Sequence, residues 1–127
     1  MVNLEGLSNE QLAIISKACE LLARIQMGQL GEILELFPSL SVEQHHELAE
    51  KLTQMRMLIP EFAELSTGQH LRITSDLVPE MARNAFDIHA CIQHHLARTR
   101  DVDFSAHRFP PRACGSFQLP IIENDRV

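Results

Sequence analysis

The sequence contains no tryptophan and no tyrosine, and its six phenylalanines are its only Phe, Trp or Tyr side chains. A pocket that stacks a nucleobase normally uses such rings, so a nucleotide site in this chain has only phenylalanine and arginine planes to offer. No apolar run reaches the roughly 18 residues that a transmembrane helix needs. The first residues, Met1–Gly6, lack a basic stretch leading into an apolar core, so we expect no secretory signal.

Cysteine is also scarce. The three cysteines, Cys19, Cys91 and Cys114, are odd in number and widely spaced, which indicates reduced thiols in a cytoplasm better than a disulfide framework. The Gly-x-Ser-x-Gly turn of many hydrolases and the glycine-rich phosphate loop that ends in Lys-Ser/Thr are both missing from the sequence. We therefore predict a protein that is not an enzyme and needs no cofactor.

Charge is unevenly distributed along the chain. Residues 1–65 hold four Lys or Arg and ten Asp or Glu, whereas residues 66–127 hold seven of each, so the net charge of −6 arises in the first half. An acidic half repels a phosphate backbone, and the sequence has no lysine-rich stripe to offset it. General nucleic-acid binding is therefore not expected.

A capping box marks the start of the first helix. Ser8 and Gln11 have the spacing at which each side chain hydrogen-bonds the other residue's backbone N–H. Apolar residues then repeat on two sides of the helix and continue past Gly28 and Gly31, each of which costs about 1 kcal/mol relative to alanine in a helix interior. We predict one long helix, with a kink allowed at the glycines, over about 9–36.

Similar signals mark two further helices. Ser41 and Gln44 form a second capping box, which predicts a helix over about 42–59, and Pro79 suits the first turn of a helix over about 79–98. The residues predicted to face the core at helical spacing are Leu48, Leu52, Met55 and Leu58 or Ile59 in the second helix, and Met81, Ala85, Ile88, Ile92 and Leu96 in the third.

Residues 99–127 form a tail without helical periodicity. It contains three prolines and six large apolar residues, namely Phe104, Phe109, Phe117, Leu119, Ile121 and Ile122. Proline interrupts regular helices, yet this much apolar surface predicts that the tail packs on the bundle or on a neighbouring subunit. The sequence thus predicts an all-α fold in a single domain, residues 1–127: three main helices in a small bundle with an irregular, proline-containing tail.

Two groups of histidines are candidate metal ligands. Asp87, Cys91 and His95 are spaced by four residues on the third helix, with His89 and His94 nearby, but this is not a recognised zinc pattern. The run His45-His46-Glu47 opens the second helix, where adjacent side chains point about 100° apart, so a solvated face is the better interpretation. We predict no metal site.

An anion-binding site is the more promising hypothesis, because arginine offers a planar fork of donors that fits phosphate or carboxylate. The sequence suggests two groups: Arg24 beside the glycines on the first helix, and the basic residues near the end of the third. The predicted ligand-binding residues are Arg24, Gly28, Gln29, Phe86, His94, His95, Arg98 and Arg100. The alternatives are that Arg24 is a buried ion-pair member and that the later residues only cap a helix and solubilise the tail.

Three stretches resemble a known family. These are the run ELLARIQMGQL over 20–30, the run VPEMARNAFDIH over 78–89, and Val102-Asp103-Phe104 in the tail. Together they resemble a small family of uncharacterised helical proteins carried by phages and prophages. The resemblance implies a setting of small accessory proteins, many of which antagonise host functions, and it implies no catalytic residue.

Within that setting, the leading hypothesis is a homo-oligomeric, non-enzymatic protein of the host cytoplasm that sequesters a small anionic nucleotide immune signal. The alternative is an inhibitor that binds a host protein directly, and a metal-dependent hydrolase is a distant third. The missing tyrosine and tryptophan count against the nucleotide hypothesis, whereas the acidic first half suits a protein target that carries basic groups.

Overall fold

The structure is a computed structural model, and it describes residues 6–66, 68–99 and 109–122. These residues form an all-α fold without strands. It consists of α1 (Asn9–Gln26), a 3₁₀ helix (Leu30–Leu36), α2 (Val42–Met57), a short 3₁₀ helix (Pro60–Phe62) and α3 (Glu80–Thr99). The predicted all-α class is confirmed.

The prediction of one long first helix over 9–36 is wrong. The α1 helix ends at Gln26, and the chain passes through Gly28 at φ +97° before the 3₁₀ helix begins at Leu30. Glycine adopts this left-handed conformation without the steric cost that other residues meet, so Gly28 ends the helix rather than kinking it. A Cβ at Gly28 would also lie 3.3 Å from the Phe62 ring. Two requirements, conformation and space, therefore fix glycine here.

The α1 and α3 helices pack antiparallel and form the core. Ala23 and Met27 near the end of α1 pack with Val78 and Ala82 near the start of α3. At the opposite end, Leu12 packs with Ile92 and Leu96 of α3. The described tail joins this second cluster through Ile122.

The α2 helix is peripheral. Among the described elements, it packs on the two 3₁₀ helices and not on α1 or α3. Its predicted core stripe is largely wrong, because Leu48, Met55 and Leu58 are exposed. In α3, Met81 is also exposed, whereas Ala85, Ile92 and Leu96 are buried as predicted. Periodicity identified the apolar stripes of the helices. It did not show which stripes are covered by another element.

The tail packs on the bundle, but not chiefly through its phenylalanines. Phe109, Phe117 and Ile121 are exposed, and Phe104 lies outside the described residues. Instead, backbone N–H groups of a loop over 114–117 hydrogen-bond side chains of α3. Satisfying polar groups, rather than burying aromatic rings, positions this loop.

Candidate functional site

The end of α1 brings together three of the predicted ligand-binding residues. Gln29 accepts a hydrogen bond of 2.9 Å from Arg24 Nη1, and Gly28 lies between them in the chain. The same guanidinium lies 3.7 Å from a carboxylate oxygen of Glu20 and 3.6 Å from one of Glu32. Two carboxylates therefore already balance the charge that was predicted to hold an anion.

The other predicted ligand-binding residues lie elsewhere. Phe86 packs against the cluster of Ala23 and Ala82 and lies beside the His89 ring, at 5.8 Å between ring centroids. Because the helices are antiparallel, His94, His95 and Arg98 occupy the far end of α3. Ala82 and Arg98 are separated by about 24 Å at 1.5 Å per residue. Arg100 lies outside the described residues.

The two histidine groups lie in different surroundings. Within the described residues, no three His, Cys, Asp or Glu side chains are placed to hold a metal ion. His45 and His46 are exposed on α2, as the solvated-face interpretation expects. Burial, and then the charge of Asp87, raises the pKa of Cys91 and keeps its thiol protonated at neutral pH.

A buried polar network joins α1 to α3. Ser16 Oγ lies 2.8 Å from His89 Nδ1 and accepts a 3.0 Å hydrogen bond from Gln93, and His89 Nε2 lies 3.1 Å from a carboxylate oxygen of Glu20. Serine, histidine and carboxylate follow one another as they do in some hydrolases. Ser16 is 0% exposed, however, so no substrate reaches its hydroxyl in this conformation. The network aligns the two helices.

Glu20 lies at the edge of this network and remains ionised. Burial alone would raise the pKa of its carboxyl. The Lys17 ammonium at 3.2 Å, the His89 ring and the Arg24 guanidinium outweigh burial and hold this pKa below its usual value. Ionised Glu20 therefore stabilises the folded state.

We expect acidification to remove this stabilisation. A carboxyl whose pKa is lower in the folded state contributes its full stabilisation above its unfolded pKa, about 4.3 for glutamate, and loses it as pH falls through the folded value. Thermal melts between about pH 7 and pH 3 should therefore show a smaller acid-induced fall in melting temperature for Glu20→Gln than for the natural chain. An identical pH dependence in the two proteins would contradict this assignment.

A cleft of about 220 Å³ lies between the end of α1, the inner side of α2 and the loop before α3. Gly28, Gln29 and Gly31 line one wall, and Arg56 and His70 line another. Arg56 is buried and donates hydrogen bonds to the backbone oxygens of Ser66 and Gln69. Arg56 was not among the predicted site residues, because nothing in the sequence around it distinguishes a buried arginine from a solvated one.

An apolar stripe runs along α2 beside its cleft-lining residues. Leu48, Leu52 and Met55 lie at helical spacing in it; Leu48 and Met55 are exposed, whereas Leu52 is half-buried and also lines the cleft. Large apolar residues next to this stripe or at the ends of the helix are exposed as well: Leu36, Phe37, Val42, Met57 and Leu58. We call the stripe Leu48–Leu52–Met55 the α2 surface. Exposed large apolar residues grouped in this way are typical of an interaction site.

Comparisons with protein-family models, curated proteins and solved structures give no match to this chain. The resemblance to phage proteins therefore stays a prediction. Within the described residues, no helix has the length and apolar content required to cross a membrane.

Proposed function

We propose that this protein is a non-enzymatic binding protein whose α2 surface docks on a basic, amphipathic segment of another protein. In the setting that the phage resemblance implies, that protein belongs to the host and binding inhibits it in the host cytoplasm. The observation that carries the proposal is that α2 leaves its apolar stripe exposed. Arg56 is the one residue of this 16-residue helix that is buried.

The position of α2 supports this role. A helix that contributed mainly to stability would direct its apolar stripe at the core, because burial of a large aliphatic side chain stabilises by about 1.5–3 kcal/mol. Here Ala49, Leu52, Thr53 and Arg56 line the cleft instead, while Leu48 and Met55 remain exposed. The stripe is therefore free to bind a partner without rearrangement of α1 and α3.

Charge defines the kind of partner. The α2 helix carries Glu43, Glu47 and Glu50, all exposed, against Lys51 and Arg56. Lys51 lies 3.4 Å from Glu47, and Arg56 turns inward towards backbone oxygens. The exterior of α2 is therefore acidic around an apolar stripe, which complements a basic amphipathic segment and repels phosphate groups.

Two substitutions test whether the stripe or the charge carries the binding. The probe is an 18-residue amphipathic peptide of leucine and lysine, titrated calorimetrically. Leu48→Glu with Met55→Glu should weaken binding about tenfold or more, because apolar contact worth at least about 1.4 kcal/mol is lost. Gln54→Glu is the matched control: it adds charge on an exposed position of α2 without removing apolar area.

The sign of the change is decisive. If charge alone attracted the peptide, two added glutamates would strengthen binding. Stronger or unchanged binding by the double variant would therefore contradict the proposal, and so would equal binding of a leucine–glutamate peptide by the natural protein.

Sequestration of a small anionic nucleotide is the second candidate. The cleft supports it, because two of the predicted ligand-binding residues, Gly28 and Gln29, line it together with Arg56 and His70. Protein purified from cells that make candidate nucleotides should then release a small molecule on heating. Absence of such a release, together with no calorimetric signal for those nucleotides, would reject this candidate.

Self-association also stays a proposal, and α1 supplies the surface for it. Ile14, Ala18 and Leu22 lie at intervals of four residues on the exposed side of α1. Under a two-fold axis at Ala18, Ile14 of one copy meets Leu22 of the other, so the stripe is self-complementary. Light scattering at micromolar concentration should give a dimer mass, which Ile14→Glu should reduce to that of the 14.4 kDa monomer. A monomer mass for the natural protein would contradict it.

A further inference from the structure

The C-terminal loop presents four consecutive backbone N–H groups to one face of α3. Cys114 N and Gly115 N each donate a 2.8 Å hydrogen bond to a different carboxylate oxygen of Asp87. Ser116 N donates to Glu80, and Phe117 N donates to Asn84 at 3.4 Å. Consecutive amides that converge on anionic oxygens form a strong, charge-assisted contact.

Glu80, Asn84 and Asp87 share one face of α3 because they lie at helical spacing. We call them the α3 stripe. Asp87 is 3% exposed, and both of its oxygens are satisfied by the loop. Hydrogen bonding from Ser116 holds the pKa of Glu80 below its usual value, so the Glu80 carboxylate is ionised at neutral pH. The stripe thus holds peptide backbone in the way that a binding site holds a ligand.

Shape adds selectivity for glycine. A Cβ at Gly115 would overlap Asn84 Oδ1 and lie 2.9 Å from Asn84 Cγ, which is closer than real Cβ atoms approach, and it would make a tight 3.1 Å contact with the Asn84 backbone nitrogen. Moving the Asn84 side chain would give up its hydrogen bond from Phe117, and the backbone nitrogen is fixed within α3. The Phe117 side chain, by contrast, is 71% exposed. The stripe recognises backbone amides and a missing side chain rather than large side chains.

We propose that the α3 stripe is a peptide-recognition site for a glycine-containing loop, and that it binds the loop of a second copy of this chain when the chain's own loop is displaced. The hydrogen bonds are identical in both arrangements. The internal loop is favoured only by its high effective concentration, of the order of millimolar for a tethered segment. A chain whose own loop cannot bind should therefore accept the loop from outside.

A labelled peptide of residues 109–122, kept reduced, tests this by fluorescence polarisation on the full chain. Gly115→Ala and Gly115→Leu each prevent the internal loop from binding but leave the stripe intact. Both variants should bind the peptide with a Kd at least tenfold lower than the natural chain shows. A peptide that carries Gly115→Ala should not bind any of them.

A competition experiment identifies the second copy as the source. Unlabelled Asp87→Asn chain has an intact loop and a weakened stripe of its own, so it should displace the peptide from Gly115→Ala. The double variant Asp87→Asn with Gly115→Ala should not. Circular dichroism confirms that each protein is folded.

Failure of both glycine variants to bind the peptide, or equal binding by the natural chain, would overturn the proposal. Displacement by the double variant would do the same. The result is independent of the proposed function, because Leu48→Glu with Met55→Glu alters α2 and should leave peptide binding by Gly115→Ala unchanged.

Discussion

Replacement of Ile92 by alanine should lower the free energy of unfolding by about 2–5 kcal/mol. Ile92 is 2% exposed and packs with Leu12 and Leu96 where α1 and α3 meet. Truncation of its side chain removes buried apolar surface and leaves a cavity that the two packed helices cannot readily fill. Urea or thermal denaturation measures the change.

Ile121→Ala is the matched control, because it removes the same atoms from a position that is 85% exposed. Its effect on the free energy of unfolding should stay within about 0.5 kcal/mol. Equal effects at the two positions would show that the α1–α3 contact is not the core of this fold.

Replacement of Arg56 by alanine should cost about 3 kcal/mol, since hydrogen bonds to a charged group are worth about 1.5–3 kcal/mol each. The Arg56 guanidinium ties the end of α2 to the backbone oxygens of Ser66, at 2.9 Å, and Gln69. Its loss frees α2 from the loop before α3. Denaturation experiments provide the free energy, and hydrogen exchange shows whether α2 opens first.

Two further substitutions separate geometry from charge. Arg56→Lys keeps the charge but lacks the planar fork, so it should recover only part of the lost stability. Lys51→Ala removes an exposed cation from the same helix and should change stability by no more than about 0.5 kcal/mol. Full recovery by lysine would show that the two backbone hydrogen bonds are not what Arg56 contributes.

Local signals predicted the helix starts well. Ser8 with Gln11 and Ser41 with Gln44 both form the reciprocal hydrogen bonds of a capping box, and α3 starts directly after Pro79. These signals are local because each depends on residues within one turn. The end of α1 was predicted wrongly, because the apolar rhythm continued past Gly28 although the backbone there turns to positive φ.

Contacts between residues far apart in the chain could not be predicted from the sequence. Ser16 and His89 are 73 residues apart, and nothing in either neighbourhood indicates their hydrogen bond. The two predicted groups of ligand-binding residues do not form one site, since the antiparallel helices place Arg24 and Arg98 at opposite ends of the α1–α3 pair. The tail was predicted to pack through its apolar side chains. Ile122 does so, whereas Phe109, Phe117 and Ile121 are exposed and backbone amides of residues 114–117 contact α3. Each of these features depends on how elements that are distant in the chain pack together, which local sequence patterns do not specify.

A nuclear magnetic resonance titration with the leucine–lysine peptide tests the proposed function most directly, because it shows where binding occurs. We predict that the largest shift changes fall on the backbone amides of Leu48 and Met55, and that they weaken in Leu48→Glu with Met55→Glu but not in Gln54→Glu. Changes centred instead on the Ile14–Leu22 side of α1, or on Gly28, Thr53 and His70 in the cleft with Leu48 and Met55 unaffected, would contradict the proposed function.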